Sequence, residues 1–340
     1  MKTRNFVKST AILLILILFL TTCQKEIPKK TYTGKALGTT YHIHIQGRGK
    51  PLSQKEIEKL ISRLNKSLST YISTSLISKI NHGDTLFADI HFRRVFDKAY
   101  TIYKQTEGIY DPTIGILVNA WGFGPGKKLK NIERDSALVD SLLQYVGMNM
   151  VEIDKQGMVR KKYPQIFLDF NSIAKGYIID QIGDLINKKG YQNYLIELGG
   201  EVLAQGKNIV ENRPWIVAVD YPVIGNKTYI MGVELHNEAI ATSGNYRKFR
   251  IDKTTGKKYV HTLNPKTGFP QASDLLSASI IAPDCTTADA WATACMAAGT
   301  KRAIRFITSH PSLKAILIYS DKNGKLQIWT SPGIKTIQME

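Results

Sequence analysis

The chain has 340 residues, 43% of them hydrophobic and 22% charged, a balance that excludes an intrinsically disordered chain and fits one large domain or two modest ones. Lys and Arg number 46 against 28 Asp and Glu, giving a formal net charge of +18. The three cysteines, Cys23, Cys285 and Cys295, cannot build a disulfide framework, and no C-x-x-C spacing points to a structural zinc module.

Lys2, Arg4 and Lys8 precede an unbroken apolar run over residues 11–20. That run is too short to span a bilayer, which takes about 20 apolar residues, and reads as a secretory signal. Leu20-Thr21-Thr22-Cys23 resembles the lipobox of bacterial lipoproteins. The resemblance implies a signal peptide over 1–22, a lipid-modified Cys23, and a short polar tether over 23–31 ahead of a folded module over 32–340. The alternative is a plain signal peptide with Cys23 incidental. A basic body on such a tether is drawn to anionic lipid. Export and the absence of a basic stripe with interleaved aromatics argue against nucleic acid.

Tyr41, Ile43 and Ile45 alternate with polar residues and predict a strand over 40–46. Ile57, Leu60, Ile61, Leu64 and Leu68 predict a helix over 53–69. Further helices are predicted over 91–105 and 136–146, with a Gly- and Pro-rich functional loop and a short helix between Gly108 and Gly126. From Val151 the pattern turns mostly to strands: 166–170, 193–198, 201–205, 215–220, 229–235, 245–252, 258–263 and 276–282. Helices over 173–187, 287–298 and 301–309 and a terminal hairpin (315–320 with 326–330) complete the chain. Strands and helices do not alternate regularly, so the fold class is α+β.

Three segments suggest chemistry. In Leu168-Asp169-Phe170-Asn171-Ser172-Ile173-Ala174-Lys175-Gly176 an acid ends an apolar run and a Lys opens a helix. A helix N-terminus with a cation suits an anionic ligand; a strand-to-helix turn with a solvated Lys is the plainer alternative. In Thr286-Thr287-Ala288-Asp289-Ala290-Trp291-Ala292-Thr293, Asp289 and Thr293 stand four apart on one helical face. Their hard oxygens suit Mg²⁺; an acid serving the helix dipole, with Thr293 merely packed, is the alternative. His261 ends a predicted strand just before Pro265-Lys266-Thr267-Gly268, a place for a general base or for a structural histidine. Cys285 and Cys295 read as buried apolar residues. The Gly-rich pieces Trp121-Gly122-Phe123-Gly124, Leu198-Gly199-Gly200-Glu201 and Thr242-Ser243-Gly244-Asn245-Tyr246 match neither a Walker loop nor a GxGxxG.

Taken together and in order, Leu37-Gly38-Thr39, Gly108 to Gly124, Asp169 to Asp180, Gly199-Gly200, Thr242 to Tyr246, His261 to Gly268 and Ala288 to Thr293 resemble the ApbE-type FAD:protein FMN transferases over residues 32–334. Two positions depart: Leu37 stands where the family usually has Met, and Asn171, a residue that tolerates left-handed backbone, where it often has Gly. The resemblance implies an ApbE-like, T-fold-related single module of mixed sheets with packed helices. It implies Mg²⁺-dependent transfer of FMN from FAD to a Thr hydroxyl of an acceptor flavoprotein, as a phosphoester, with release of AMP. It makes Asp289, Thr293 and the Ser172 carbonyl the metal ligands. Leu37, Tyr71, Ile109, Tyr110, Asp111, Asp169, Lys175, His261 and Leu263 become FAD contacts. His261, Lys175 and Asp289 are the catalytic candidates, with His261 the base. The implied acceptors are exported subunits of membrane electron-transport complexes, and the implied location is the bacterial envelope, on the extracytoplasmic side. An FAD pyrophosphatase and a non-catalytic FAD-binding lipoprotein are the alternatives.

Overall fold

The computed structural model describes residues 27–222, 228–245, 249–251, 258–271 and 273–338; the signal segment, Cys23 and Tyr246 lie outside the described residues. Strands β1 (Lys29–Ala36) and β2 (Thr39–Gln46) form a hairpin whose register pairs Ala36 with Thr39. Three helices follow: α1 (Gln54–Leu68), α2 (Leu76–Asn81) and α3 (Ile90–Gln105). Ser53 and Glu56 close a reciprocal capping box on α1, and Asp89 accepts from the His91 and Phe92 N–H groups at the start of α3. The middle of the chain carries α4 (Gly115–Ala120), α5 (Ser136–Leu143) and the small hairpin β3 (Val151–Ile153) and β4 (Val159–Lys161). Then come α6 (Ala174–Lys188), β5 (Asn193–Leu198), β6 (Glu201–Gln205), β7 (Trp215–Asp220), β8 (Tyr229–Leu235) and β9 (Ala239–Gly244). Last are β10 (Phe249–Ile251), β11 (Lys258–Val260), β12 (Leu275–Ala282), α7 (Cys285–Ala298), α8 (Thr300–Thr308), β13 (Lys314–Ser320), β14 (Leu326–Thr330) and β15 (Thr336–Ile337).

Eight strands form one antiparallel sheet in the order β1-β2-β5-β6-β9-β12-β13-β14. Residue parity assigns its two faces. Leu203, Ala239, Ala241, Ala278, Ile280 and Leu317 enter the core shared with the helices. Their neighbours Val202, Ile240, Ile281, Ile316 and Ile318 enter a second core under the three-stranded sheet β15-β8-β7. The helix-facing side is rich in Ala, so α7 approaches closely. That helix is itself buried on nearly all sides, with Ala288, Ala290, Ala292 and Ala294 fully inaccessible. Among the described residues no helix is long and apolar enough to cross a membrane.

Four expectations change. Residues 166–170 are not a strand: the Asn81 side chain takes both the N–H and the carbonyl of Leu168, at 2.8 Å each, and the Pro112 carbonyl takes the Asp169 N–H at 2.7 Å. A side chain and a loop thus satisfy the backbone groups that a neighbouring strand would. Residues 29–31, assigned to the tether, pair with Gln46, Ile45 and His44 in β1. The strand expected over 245–252 is represented by β10 alone among the described residues, and the central strand β9 lies before it, unforeseen. Asn171 is not among the residues with left-handed backbone; Leu37 is, at φ 53°.

Candidate active site

One end of the large sheet gathers the motifs. The two-residue turn Leu37-Gly38 has φ of 53° and 74°, and the Gly199-Gly200 turn between β5 and β6 has φ of 60° and 91°. The turns lie side by side: the Gly199 N–H donates to the Thr40 carbonyl at 3.1 Å. A Cβ on Gly199 would come within 2.8 Å of the Thr39 side chain. Glu197 accepts from the Gly200 N–H at 2.7 Å and from His42 at 2.8 Å, which fixes the turn just ahead of Glu201.

At that end Lys175, Glu201 and Asp289 meet. Lys175 Nζ lies 2.9 Å from Glu201 Oε1, and Asp289 Oδ2 accepts from the Gly176 N–H at 3.1 Å. Gly176 stands four residues after Ser172, so its N–H is the donor a regular helix gives to the Ser172 carbonyl. Here it goes to Asp289, and α6 starts from Ile173 with no side-chain cap. The two helices touch here through bare backbone: a Cβ on Gly176 would stand 2.2 Å from the Cys285 carbonyl oxygen.

The electrostatics follow from burial. Glu201 and Asp289 are 3% and 4% exposed. Burial and the charge of Asp289 push the Glu201 carboxyl well above its ordinary pKa. Burial also raises Asp289, opposed by the Lys175 charge and the Gly176 N–H. Glu201 Oε2 is buried with no N–H or O–H donor, and the carboxyl lies within hydrogen-bond reach of Asp289. Burial beside a second acid therefore favours the protonated form of Glu201 over the ionised one. Burial opposes the Lys175 ammonium, but the neighbouring acids Glu201 and Asp289 outweigh it and hold its pKa above the ordinary value.

The remaining candidates surround this cluster. Thr293, one turn beyond Asp289, meets the Ser243 hydroxyl of β9 at 3.5 Å. Ser172 donates to the Tyr110 hydroxyl at 3.2 Å. Asp169 Oδ1 accepts the Asn171 N–H at 2.9 Å, and the Asn171 side chain donates to Thr70 at 3.2 Å. The neighbouring Tyr71 is 62% exposed; desolvation and then the Asp169 charge raise its phenol. His261 meets Phe123 edge-on, with ring centroids 6.5 Å apart. Its neighbour Thr262 donates to Asn245 at 3.0 Å, two residues past Ser243, which ties the His261 segment to the end of β9 where Thr293 stands.

Other candidates turn inward. Ile109 and Tyr110 are 4% and 2% exposed, and Leu263 joins Leu117 and Trp121 in a satellite core. Asp111 accepts from the Thr113 N–H and hydroxyl and the Met148 N–H; burial lifts its carboxyl to about 6 against those donors. Cys285 and Cys295 are buried, and burial raises both thiols, Cys295 to about 12.

The ApbE family model matches residues 37–317. The chain belongs to the ApbE family. The FAD:protein FMN transferase of Haemophilus influenzae is 33% identical over 329 residues, spanning 93% of this chain and 94% of that protein. The Vibrio cholerae protein of the same name is 30% identical, spanning 95% and 96%. The solved flavin transferase ApbE from Vibrio cholerae matches with a TM-score of 0.79 at 28% identity, over 90% of this chain and 98% of that one. The flavinyl transferase ApbE of Pseudomonas stutzeri matches at 0.79 and 26%, over 91% and 96%. These matches agree with the α+β ApbE-like module expected from the motifs.

Sequence reasoning missed Glu201 as the partner of Lys175. It was visible only as the end of Leu198-Gly199-Gly200-Glu201. Its signal was an acid opening the otherwise apolar run Val202-Leu203-Ala204, a position that parity assigns to the helix-facing core.

Proposed function

We propose that the chain is a Mg²⁺-dependent FAD:protein FMN transferase that moves FMN onto a Thr hydroxyl of an acceptor flavoprotein and releases AMP. The observation that carries this reading is the Lys175–Glu201–Asp289 cluster, two buried carboxyls and one cation at the end of the sheet. Among the described residues no three His, Cys, Asp or Glu side chains form a metal-binding group. An ion here would therefore be held largely by oxygens other than carboxylates. The donors fit Mg²⁺, which takes oxygens and completes its shell with phosphates and water. Asp289, Thr293 and the Ser172 carbonyl would hold it, and the bound ion would neutralise charge on the FAD pyrophosphate.

The chain's own residues do the rest. Lys175 presents its ammonium to a phosphate oxygen at the start of α6. Leu37 and Tyr71 offer exposed apolar and aromatic surface to a flat ring. The acceptor Thr oxygen attacks the FMN phosphorus, the bond from that phosphorus to the AMP oxygen breaks, and His261 takes the hydroxyl proton. A base of this kind contributes about 10²- to 10⁴-fold. The proposal includes a lipid anchor at Cys23 that holds the enzyme at the extracytoplasmic face of an envelope membrane, among exported electron-transport flavoproteins.

The test is a transfer assay with FAD, Mg²⁺ and a candidate acceptor domain, read as flavin fluorescence on the denatured acceptor band. A fluorescent band that disappears with EDTA and with Asp289→Ala is the expected result. Free FMN and AMP with no labelled acceptor would instead establish hydrolysis, and intact FAD with every acceptor would refute turnover.

A further inference from the structure

Beside the α6–α7 contact lies a cavity of about 440 Å³ that no step above uses. Arg94 and Lys98 of α3, Tyr177 and Asp184 of α6, Tyr194 of β5 and Asp284 ahead of α7 line it. Asp180 stands among them. Its Oδ1 accepts the Cys285 N–H at 2.8 Å; its Oδ2 accepts the Thr286 N–H at 2.8 Å and the Thr286 hydroxyl.

A helix start exposes N–H groups without intrahelical partners and carries partial positive charge, so a carboxylate there is favourable. The usual capping position is already filled, because Asp284 accepts the Thr287 N–H at 2.6 Å. Asp180 is a second acceptor, supplied by a different helix. It is not required to start α7; it fastens α7 to α6.

The fastening is close to the chemistry. Asp180 lies one turn beyond Gly176, where the two helix backbones touch, and Asp289 lies one turn beyond Cys285 and Thr286. The α6–α7 contact is thus fixed at the bare glycine and again at Asp180. We infer that Asp180 is a positioning residue for flavin transfer: by holding the first turn of α7 against α6, it sets where Asp289 stands relative to Lys175 and Gly176. This inference rests on the transferase reading, and Asp180 itself touches no reacting atom.

The cavity makes the fastening sensitive to protons. Burial and the charge of Asp284 raise Asp180 to about 7, against the Thr286 and Cys285 donors. The ionised form accepts all of these donors, whereas protonation turns one oxygen into a donor facing N–H groups. Burial outweighs these donors and favours the neutral form, so release of Asp180 to water becomes easier as pH rises through about 7.

The test compares the full chain with its Asp180→Asn and Thr286→Val variants, the second removing a single hydroxyl donor. Amide hydrogen exchange over 285–293, corrected for intrinsic rates, is measured on both sides of neutrality, beside transfer kinetics. In Asp180→Asn, exchange over 285–293 should rise by roughly 10-fold on the alkaline side while 300–308 is unchanged. Its kcat should fall by about 10- to 100-fold with KM for FAD within about 2-fold, the size seen when a supporting contact to a ligating residue is lost. Thr286→Val should move both readouts the same way by less, and it decides the matter if Asp180→Asn does not fold. Unchanged exchange in both variants, or faster exchange with unchanged kcat, overturns the inference. A wild type that labels no acceptor refutes the transferase reading, and the exchange arm still decides whether Asp180 fastens α7.

Discussion

Leu37 is a branched apolar side chain, 38% exposed, held at φ 53°. The left-handed region costs an L-residue about 1–2 kcal/mol, and Asn or Gly would ordinarily occupy such a turn. Strain of this kind collects where a side chain is needed for a ligand. Leu37→Asn should therefore stabilise the chain by about 0.5–1 kcal/mol in urea unfolding while raising KM for FAD. A less stable variant with unchanged KM would remove Leu37 from the site. The residue scale is also where sequence was most informative and most deceptive. Asp289 and Thr293 announced a shared face by their spacing, and Lys175 a helix start. Glu201 did not, because its environment is set by Asp289, 88 positions away.

Among the elements, α6 and α7 decide the site, and their contact depends on what Gly176 lacks. Alanine normally favours a helix interior over glycine by about 1 kcal/mol. Here the added methyl would meet the Cys285 carbonyl at 2.2 Å and the Thr286 nitrogen at 2.9 Å, both backbone atoms that cannot rotate away. Overpacking outweighs propensity, so Gly176→Ala should destabilise by about 1–3 kcal/mol and abolish transfer, read by urea midpoint and by acceptor fluorescence. A gain in stability would mean that the helices stand further apart. The long amphipathic helices were legible because period and caps agree, as at Ser53 and Asp89. Strand β9 was not. In Ala239-Ile240-Ala241-Thr242-Ser243-Gly244 every residue but Ile240 is small, because α7 presses on one face, which weakens the alternation that marks a strand. Residues 166–170 erred the opposite way: apolar enough for a strand, they are bonded by the Asn81 side chain.

At the scale of the whole molecule, the buried acids set how stability responds to pH. Burial lifts Asp111 to about 6 and Asp180 to about 7, so the folded chain binds more protons than the unfolded one above about pH 4. Stability from these groups falls as pH rises through that window. Glu56 runs the other way: the Lys189 hydrogen bond and the Ser53 contacts lower it to about 2, so its contribution is lost as pH falls below the ordinary carboxylate range. The urea midpoint should accordingly be higher at about pH 5 than at about pH 7.5. Saturating Mg²⁺ should narrow that difference by stabilising the alkaline side, as expected for an ion bound only by the folded state. A midpoint that climbs steadily toward pH 7.5 without metal would contradict the burial argument. Overall class was legible from the mixed pattern, but sheet order was not, since β2 finds β5 across more than 140 residues.

That pairing has a consequence for how the enzyme comes into being. Tyr41 cannot meet Leu198, nor Glu201 meet Asp289, until the later segment has left the ribosome. The hairpin and first helices can form early from local contacts, but strands that close over long loops form late. Until β5 arrives, β2 has an open edge that invites wrong partners. Flavin competence is therefore the last property this chain acquires, and a polypeptide stalled before residue 289 can neither build the site nor compete for FAD.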